Sequence, residues 1–366
     1  MHITVKREEL LKPLGIVAGV VERRQTLPIL SNILLRYNGK ELTLTGTDLE
    51  VEVSAQVSCK GGDSGEITLP ARKLHDICRA LPNDAVIDIG LEKEKALIKS
   101  GKSRFRLLTM PAAEFPAIET AQWDITFTLP QRKLRWLLEK TMFCMAQQDV
   151  RYYLNGLLFE VNGRRLRAVA TDGHRLSLAE VDISDSINGE KNVILPRKGV
   201  LEMLRFLDDS DVEVQLQIGA NHMRVTLKGL TFTSKLIDGR FPDYNRVIPD
   251  KQSKQLKIQR ASFRETLNRA AILSNEKYRG VRFGLGNGLL TITAHNPEQE
   301  EAQEEVAIDY NGENMEIGFN VSYINEAVGA LDNEEIEFCL NDPNSSCLLR
   351  VPGNSKHLYV VMPMRL

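Results

Sequence analysis

One arrangement in this sequence could do proton chemistry. Asp172 and His174 lie two residues apart in Thr171-Asp172-Gly173-His174-Arg175-Leu176. A histidine beside a carboxylate is the pair a hydrolase would use as general base. The related segments Thr47-Asp48-Leu49-Glu50 and His295-Asn296-Pro297 keep only an Asp or Asn, residues that hold a turn by capping the local backbone. No nucleophile stands beside His174 either. The expected element is therefore a turn whose loop can still serve recognition, with no catalytic residue. A hydrolase using Asp172 and His174 remains the enzyme alternative. Gly284-Leu285-Gly286-Asn287-Gly288 looks like part of a phosphate loop, but a strand pattern follows it where such a loop needs a helix. The six histidines and the five cysteines (59, 78, 144, 339 and 347) show no metal spacing, so neither metal nor cofactor is expected. The acidic run 298–305 reads as a solvated or partner-facing patch.

The elements that must carry these residues repeat. Asn-Gly, a hairpin signal because its residues accept positive φ, occurs at Asn38-Gly39, Asn162-Gly163 and Asn287-Gly288, 124 and 125 residues apart. Asp48, Asp172 and Asn296 follow at the same period. Leu-Pro at Pro70 and Pro196 opens helical patterns, and Phe-Pro follows 46 residues later at Pro116 and Pro242. The reading is three homologous domains, 1–120, 121–250 and 251–366, each with two helices and antiparallel sheets, an α+β fold. Helices are predicted near 7–20, 72–81, 131–145, 197–207, 261–273 and 321–331. A chain of 366 residues is long enough for several cores. No apolar run approaches a membrane span, no secretory signal is evident, and the scattered odd cysteines suggest buried thiols in a reducing cytoplasm.

Charge is balanced overall, 47 basic against 49 acidic residues, which taken alone argues against a nucleic-acid binder. It is not evenly spread. Four helix windows, 71–81, 131–140, 196–207 and 260–270, hold 13 Lys or Arg against 4 Asp or Glu. Helices sharing one side of a repeat array would then face a polyanion through sequence-independent phosphate contacts. The C-terminus is apolar and rich in methionine to its last residues, which suits packing in or beside an adaptable groove.

Five motifs carry a resemblance: DVRYYLNG (149–156), ATDGHRL (170–176), DGRFPDY (238–244), AILSNEK (271–277) and VVMPMRL (360–366). With them the whole chain resembles the bacterial DNA polymerase III β sliding clamp family. The resemblance implies a head-to-tail homodimeric ring of six similar domains, with helices lining a hole through which duplex DNA threads. Helix geometry agrees with two chains. Six helices spaced ~8–10 Å apart leave almost no hole, whereas twelve leave a bore of about 25 Å. It implies no enzyme activity, but processivity for the replicative polymerase. Short linear peptides would recruit that polymerase, the clamp loader, translesion polymerases, and mismatch-repair and ligase-type factors. A protein-interaction scaffold without DNA encirclement is the remaining alternative.

Residue by residue, the resemblance assigns DNA contacts to Arg24, Arg72, Gln148, Tyr152 and Tyr153, and bore-facing charge to Arg197, Lys198 and Arg205. It builds a peptide pocket from Leu154, Thr171, Gly173, His174, Arg175 and Leu176, with Pro242, Arg246 and Val247. Asn320, Tyr323 and Ser346 join it, as do Val360, Val361, Met362, Pro363, Met364, Arg365 and Leu366. Tyr278 stands at the rim where Phe is more usual, and Asn344 where an apolar residue is common. The 19–24 segment around Arg24 is less glycine-rich than expected. The dimer contact sets Phe105 and Leu107 of one chain against Ile272 and Leu273 of the other, with Lys73, Lys102 and Arg104 facing Glu298, Glu300, Glu301 and Glu304.

Overall fold

A computed structural model describes residues 1–22, 27–118, 122–249 and 253–365. The chain divides into two compact units: Met1–Arg135 with Lys198–Leu236, and Trp136–Arg197 with Ile237–Leu366.

Six α-helices form among the described residues: α1 (Arg7–Val20), α2 (Ala71–Ala80), α3 (Gln131–Thr141), α4 (Arg197–Phe206), α5 (Arg260–Ala271) and α6 (Val321–Ala330). They match the predicted segments to within a few residues, except that the third stops at Thr141 and continues as a 3-10 turn, Met142–Cys144. Each buries one stripe, as the 3.6-residue spacing requires. In α3, Leu134, Leu137 and Leu138 are all buried; in α5, Phe263, Leu267 and Ala270 are.

All strand pairings are antiparallel. The N-terminal unit holds a five-stranded sheet that ends in Ser103–Leu108. It also holds an eight-stranded sheet in the order Trp123–Pro130, Glu213–Gly219, His222–Leu227, Leu230–Lys235, Val51–Ser58, Glu41–Thr47, Asn32–Tyr37 and Gly65–Pro70. The C-terminal unit repeats that plan. Its second sheet runs Gly156–Thr171, Arg175–Pro196, His357–Val361, Cys347–Arg350, Glu335–Leu340, Lys254–Gln259. Its four-stranded sheet ends in the edge strand Glu301–Ala307.

The core of the C-terminal unit lies on both faces of its long sheet. Tyr359 and Val361 pack with Phe263, Phe319 and Phe338 on one side. Leu358 and Val360 pack with Leu176, Phe241 and Tyr244 on the other. Strand alternation therefore turns Val361 away from the neighbours of Val360, and corrects its assignment as a pocket-lining side chain. The Asn-Gly reading also needs correcting. Only Asn287 and Gly288 both have positive φ (52° and 72°). Asn38 instead sits before its turn and accepts Lys40 N and Glu41 N at 3.0 and 2.9 Å, while a register shift lies beside Gly163. Four cysteines are buried as expected, but Cys59 is only half-buried.

Candidate functional site

The turn at 171–175 is built by its own side chains. Thr171 Oγ1 donates to Arg175 O at 2.6 Å and accepts Gly173 N at 3.1 Å. Asp172 Oδ1 accepts His174 N at 2.9 Å and Arg175 N at 3.1 Å, and Oδ2 takes Arg175 Nε at 3.0 Å. The carboxylate is thus spent on backbone and arginine, while the exposed His174 enters through its peptide group. Its carbonyl accepts Met362 N at 2.9 Å and so fastens the C-terminal strand to the turn. Gly173 has φ 90°, and a Cβ there would meet the Arg151 guanidinium at 3.0 Å.

A cleft of about 200 Å³ opens at this turn, lined by Leu154, Thr171, Gly173, Arg175, Leu176, Pro242, Val247, Val360 and Met362 among the nominated residues. The structure adds Arg151, Asp243 and Tyr244, and places Tyr153, nominated for DNA, in the lining too. Tyr244 was legible as the end of the DGRFPDY segment, but nothing in its spacing distinguishes a wall residue from a core one. Arg175 ties the cleft to its surroundings. Its guanidinium donates to Phe143 O at 2.7 Å and to Glu326, and lies 4.3 Å from the Tyr323 ring. Burial is the largest influence on it and opposes its charge, yet the neighbouring Glu326 and Asp172 hold its pKa above the ordinary value.

The remaining nominated residues sit around this core. Asn320 caps α6, accepting Ser322 N and Tyr323 N at 2.9 and 3.3 Å, and donates to Tyr278 O at 3.3 Å. Met364 N bonds Gly318 O at 2.8 Å. Asn344 N bonds Asp342 Oδ1 at 2.8 Å, and Ser346 precedes the strand Cys347–Arg350. Arg246 is exposed and pairs with Asp243 at 2.9 Å. Pro363 and Arg365 follow Met362 at the chain end; Leu366 and Arg24 lie outside the described residues.

The N-terminal unit builds the same turn again. Thr47 Oγ1 donates to Val51 O at 2.9 Å and accepts Leu49 N at 3.0 Å; Asp48 Oδ1 accepts Glu50 N and Val51 N at 2.9 and 2.7 Å. Lys235 N bonds Glu50 O at 2.8 Å, the counterpart of Met362 on His174. A cleft of about 330 Å³ opens there too, lined by Thr47, Leu49, Pro116, Ala117, Ile118, His222 and Lys235. The pairings Thr233 with Glu52 and Val360 with Leu176 make these positions equivalent. Glu52 is partly buried, bonds Ile118 N at 3.2 Å, and burial raises its pKa.

Of the residues nominated for DNA, Arg72 is exposed on α2, and Gln148 and Tyr152 are exposed. Gln148 adopts φ 55°. Lys198 bonds both Glu22 and Asp48, which raises its pKa against the opposing effect of burial. Arg205 pairs with Glu202 at 3.0 Å. Arg197 lies 3.4 Å from Met142 O, its pKa lowered by burial and then by Arg175. The nominated dimer residues fall on the two edge strands and nearby. Phe105 and Leu107 belong to Ser103–Leu108, which also carries Arg104 and follows Lys102, while Lys73 is exposed on α2. Ile272 is 74% exposed just after α5, followed by the half-buried Leu273. Glu301 and Glu304 belong to Glu301–Ala307, and Glu298 is exposed before it. Within the chain, Glu304 already pairs with Arg269 at 2.7 Å, and Glu300 Oε2 accepts Asn296 Nδ2 at 2.6 Å.

Comparison with known proteins covers the whole chain. Family models described as the N-terminal, central and C-terminal domains of the DNA polymerase III beta subunit match residues 1–119, 128–243 and 245–365. The beta sliding clamp of Pseudomonas aeruginosa is 56% identical, with 100% of both chains covered. That of Escherichia coli K12 is 50% identical over the same coverage. A crystal structure of the Pseudomonas aeruginosa sliding clamp with ligand, 55% identical, superposes with a TM-score of 0.97 over 100% of both chains. Another from that organism, 56% identical and bound to griselimycin, also gives 0.97 over 100% of both chains. With three family models in the order of the internal repeat, the chain belongs to the DNA polymerase III beta subunit family, the bacterial β sliding clamps.

Proposed function

We propose that two copies of this chain close head to tail around duplex DNA and hold the polymerase there by topology, with the 171–176 cleft receiving linear peptides. Membership of the family makes the protein a sliding clamp in DNA replication and a non-catalytic processivity factor. The ring reading rests on the two edge strands. An open sheet edge invites pairing with another chain. Here Ser103–Leu108 is flanked by Lys102 and carries Arg104 and Arg106, while Glu301–Ala307 carries Glu301, Glu304 and Glu305. The opposite charges suit one edge of each chain meeting the other edge of its partner, and a two-fold arrangement satisfies both. Ile272 and Leu273 would pack against Phe105 and Leu107 in that contact. The domains are proposed at 1–120, 121–250 and 251–366, and the location as the cytoplasm. Among the described residues no helix is long and apolar enough to cross a membrane.

Bore contacts need only be weak, since topology supplies the hold. Arg72 on α2 and the exposed Gln148 and Tyr152 are proposed to touch DNA; Lys198 and Arg205 do so while paired to carboxylates of their own unit. The cleft carries the peptide reading because its floor is apolar (Leu176, Val360, Met362) where its N-terminal counterpart is charged. The replicative polymerase, clamp loader, translesion polymerases, and mismatch-repair and ligase-type factors are the proposed peptide donors. The test is retention on DNA. The protein is loaded on nicked circular DNA, which is then linearised. A ring slides off the ends once they exist; equal retention on both forms refutes encirclement. Light scattering checks closure: Ile272→Ala with Leu273→Ala should give monomers.

A further inference from the structure

The cleft wall formed by Pro242, Asp243, Tyr244 and Val247 comes from a connection outside the sheets that contains the 3-10 turn Tyr244–Val247. Such a segment needs anchoring to hold a shape. Arg246 is a poor anchor, since its side chain is 84% exposed and pairs with Asp243 inside the same segment. Tyr244 is a better one. Its side chain is buried beside Phe241, Leu158 and Ile194, and its hydroxyl reaches two charged groups of the sheet. The hydroxyl donates to Glu160 Oε2 and accepts Arg167 Nη1 at 2.8 Å. Arg167 in turn gives Nε and Nη2 to Glu180 Oε2 at 3.1 and 2.8 Å. Glu160 and Arg167 stand on one long strand, and Arg167 is directly opposite Glu180 in the register. All three charges are mostly buried, with side chains 12–20% exposed. Hydrogen bonds to charged groups in such surroundings are strong and directional. Burial and Glu160 push the Tyr244 hydroxyl up to about 12, so it remains a donor at neutral pH.

The N-terminal unit lacks this set. By the repeat, Arg36, Thr43, Gln56 and Ile118 stand where Glu160, Arg167, Glu180 and Tyr244 do. There Arg36 pairs with Glu66, and Ile118, which has no hydroxyl, bonds Glu52 through its backbone N–H. The charged set accompanies the apolar cleft and is absent from the polar one.

We propose that Glu160, Arg167 and Glu180 are positioning residues of the peptide cleft. They line no part of it, yet they fix the Tyr244 hydroxyl and through it the wall that closes on a bound ligand. This rests on reading the cleft as the peptide site. The test measures binding of griselimycin to the full-length protein by surface plasmon resonance. Tyr244→Phe removes only the hydroxyl and should weaken binding about tenfold, chiefly through faster dissociation. Glu160→Leu should do the same, whereas Glu160→Gln, which still accepts the hydroxyl, should stay within about twofold of the parent. Tyr244→Phe combined with Glu160→Leu should lose no more than the worse single change, because both break one interaction. A role in general stability alone would not separate Gln from Leu at 160. Leu176→Glu with Met362→Lys is the control and should abolish binding. If it does, and Tyr244→Phe and Glu160→Leu bind like the parent or their losses multiply, the positioning role is overturned and the cleft reading stands. If the control still binds, the cleft reading itself fails. Should Glu160→Leu not fold, Tyr244→Phe against Glu160→Gln decides the matter.

Discussion

The two clefts share a backbone and differ in chemistry. Each sits on a Thr-Asp turn with the same four local hydrogen bonds, and each has a strand end fastened to the fourth turn residue, Met362 on His174 or Lys235 on Glu50. At equivalent positions the C-terminal cleft has Gly173, Leu176, Val360 and Met362, and the N-terminal one has Leu49, Glu52, Thr233 and Lys235. The first set gives the cleft an apolar lining beside a glycine; the second puts a leucine side chain where that glycine stands and brings the charged Lys235 into the lining. Apolar side chains of a ligand gain by entering the first and would have to desolvate Lys235 in the second. The duplication thus supplies the scaffold twice, with different chemistry at four equivalent positions. The second carboxylate oxygen marks the same divergence. Asp172 turns it to Arg175, which lines the cleft, whereas Asp48 turns it to Lys198.

The largest expected effect tests the floor. On the proposed peptide reading, Leu176→Glu with Met362→Lys, which gives the C-terminal cleft the character of its counterpart, should weaken griselimycin binding more than about a hundredfold, since two apolar burials are lost and two charges added. Binding within threefold of the parent by plasmon resonance would break the comparison. Next, Asp172→Ala removes the acceptor of two backbone N–H groups and of Arg175, so affinity should drop about tenfold and the thermal midpoint by several degrees. Asp48→Ala should lower the midpoint similarly and leave ligand binding untouched; a change in binding there would mean the two turns are not independent.

The pH response should also separate the units. His357 is buried, with Nε2 2.6 Å from the Tyr359 hydroxyl, and burial, then Lys140, lowers its pKa to about 4. The unfolded chain binds this proton near pH 6.5 and the folded one near 4, so its contribution is full above 6.5 and is lost as pH falls towards 4. Glu52 has the opposite sign. Its raised pKa makes the folded N-terminal unit hold a proton longer than the unfolded chain, so its contribution grows as pH falls. Hydrogen exchange between pH 6.5 and 4.5 should show the C-terminal unit losing protection, and His357→Leu, the residue type at its counterpart Leu230, should flatten that loss. An unaltered slope in His357→Leu would remove His357 as the cause. The smallest effect is a gain. Leu49→Gly, Glu52→Leu, Thr233→Val and Lys235→Met together should create a second, weaker griselimycin site, counted by native mass spectrometry. A stoichiometry unchanged from the parent would place the remaining determinant in the Tyr244 anchor that the N-terminal unit lacks.

Much of this was legible in the chain because its cause is local. The helices follow from apolar spacing, and the turn at Asp172 from a side chain that bonds N–H groups two and three residues on. Comparing Asp48 and Asn296 with Asp172 was enough to set aside a catalytic pair. Less legible were effects of strand register and long-range pairing. Val361 sits in a motif of cleft residues, yet alternation sends it to the opposite face from Val360. Lys198 looks like free positive charge on a helix, but Glu22 and Asp48, 176 and 150 residues earlier in the chain, hold it. Tyr244 ends a recognised motif, and only the sheet shows Glu160 and Arg167 beneath its hydroxyl.

The sequence by itself determined the threefold repeat, the basic bias of the helices, the turn that carries the cleft and the family. Each depends on residue types and spacings within a few positions, or on a period that survives without coordinates. The tertiary structure alone decided which repeat has an apolar cleft lining, which charges are already spent on partners, and which distant residues bond the Tyr244 hydroxyl. Those outcomes depend on residues that meet only when strands from separate parts of the chain pair, and no local spacing encodes that meeting.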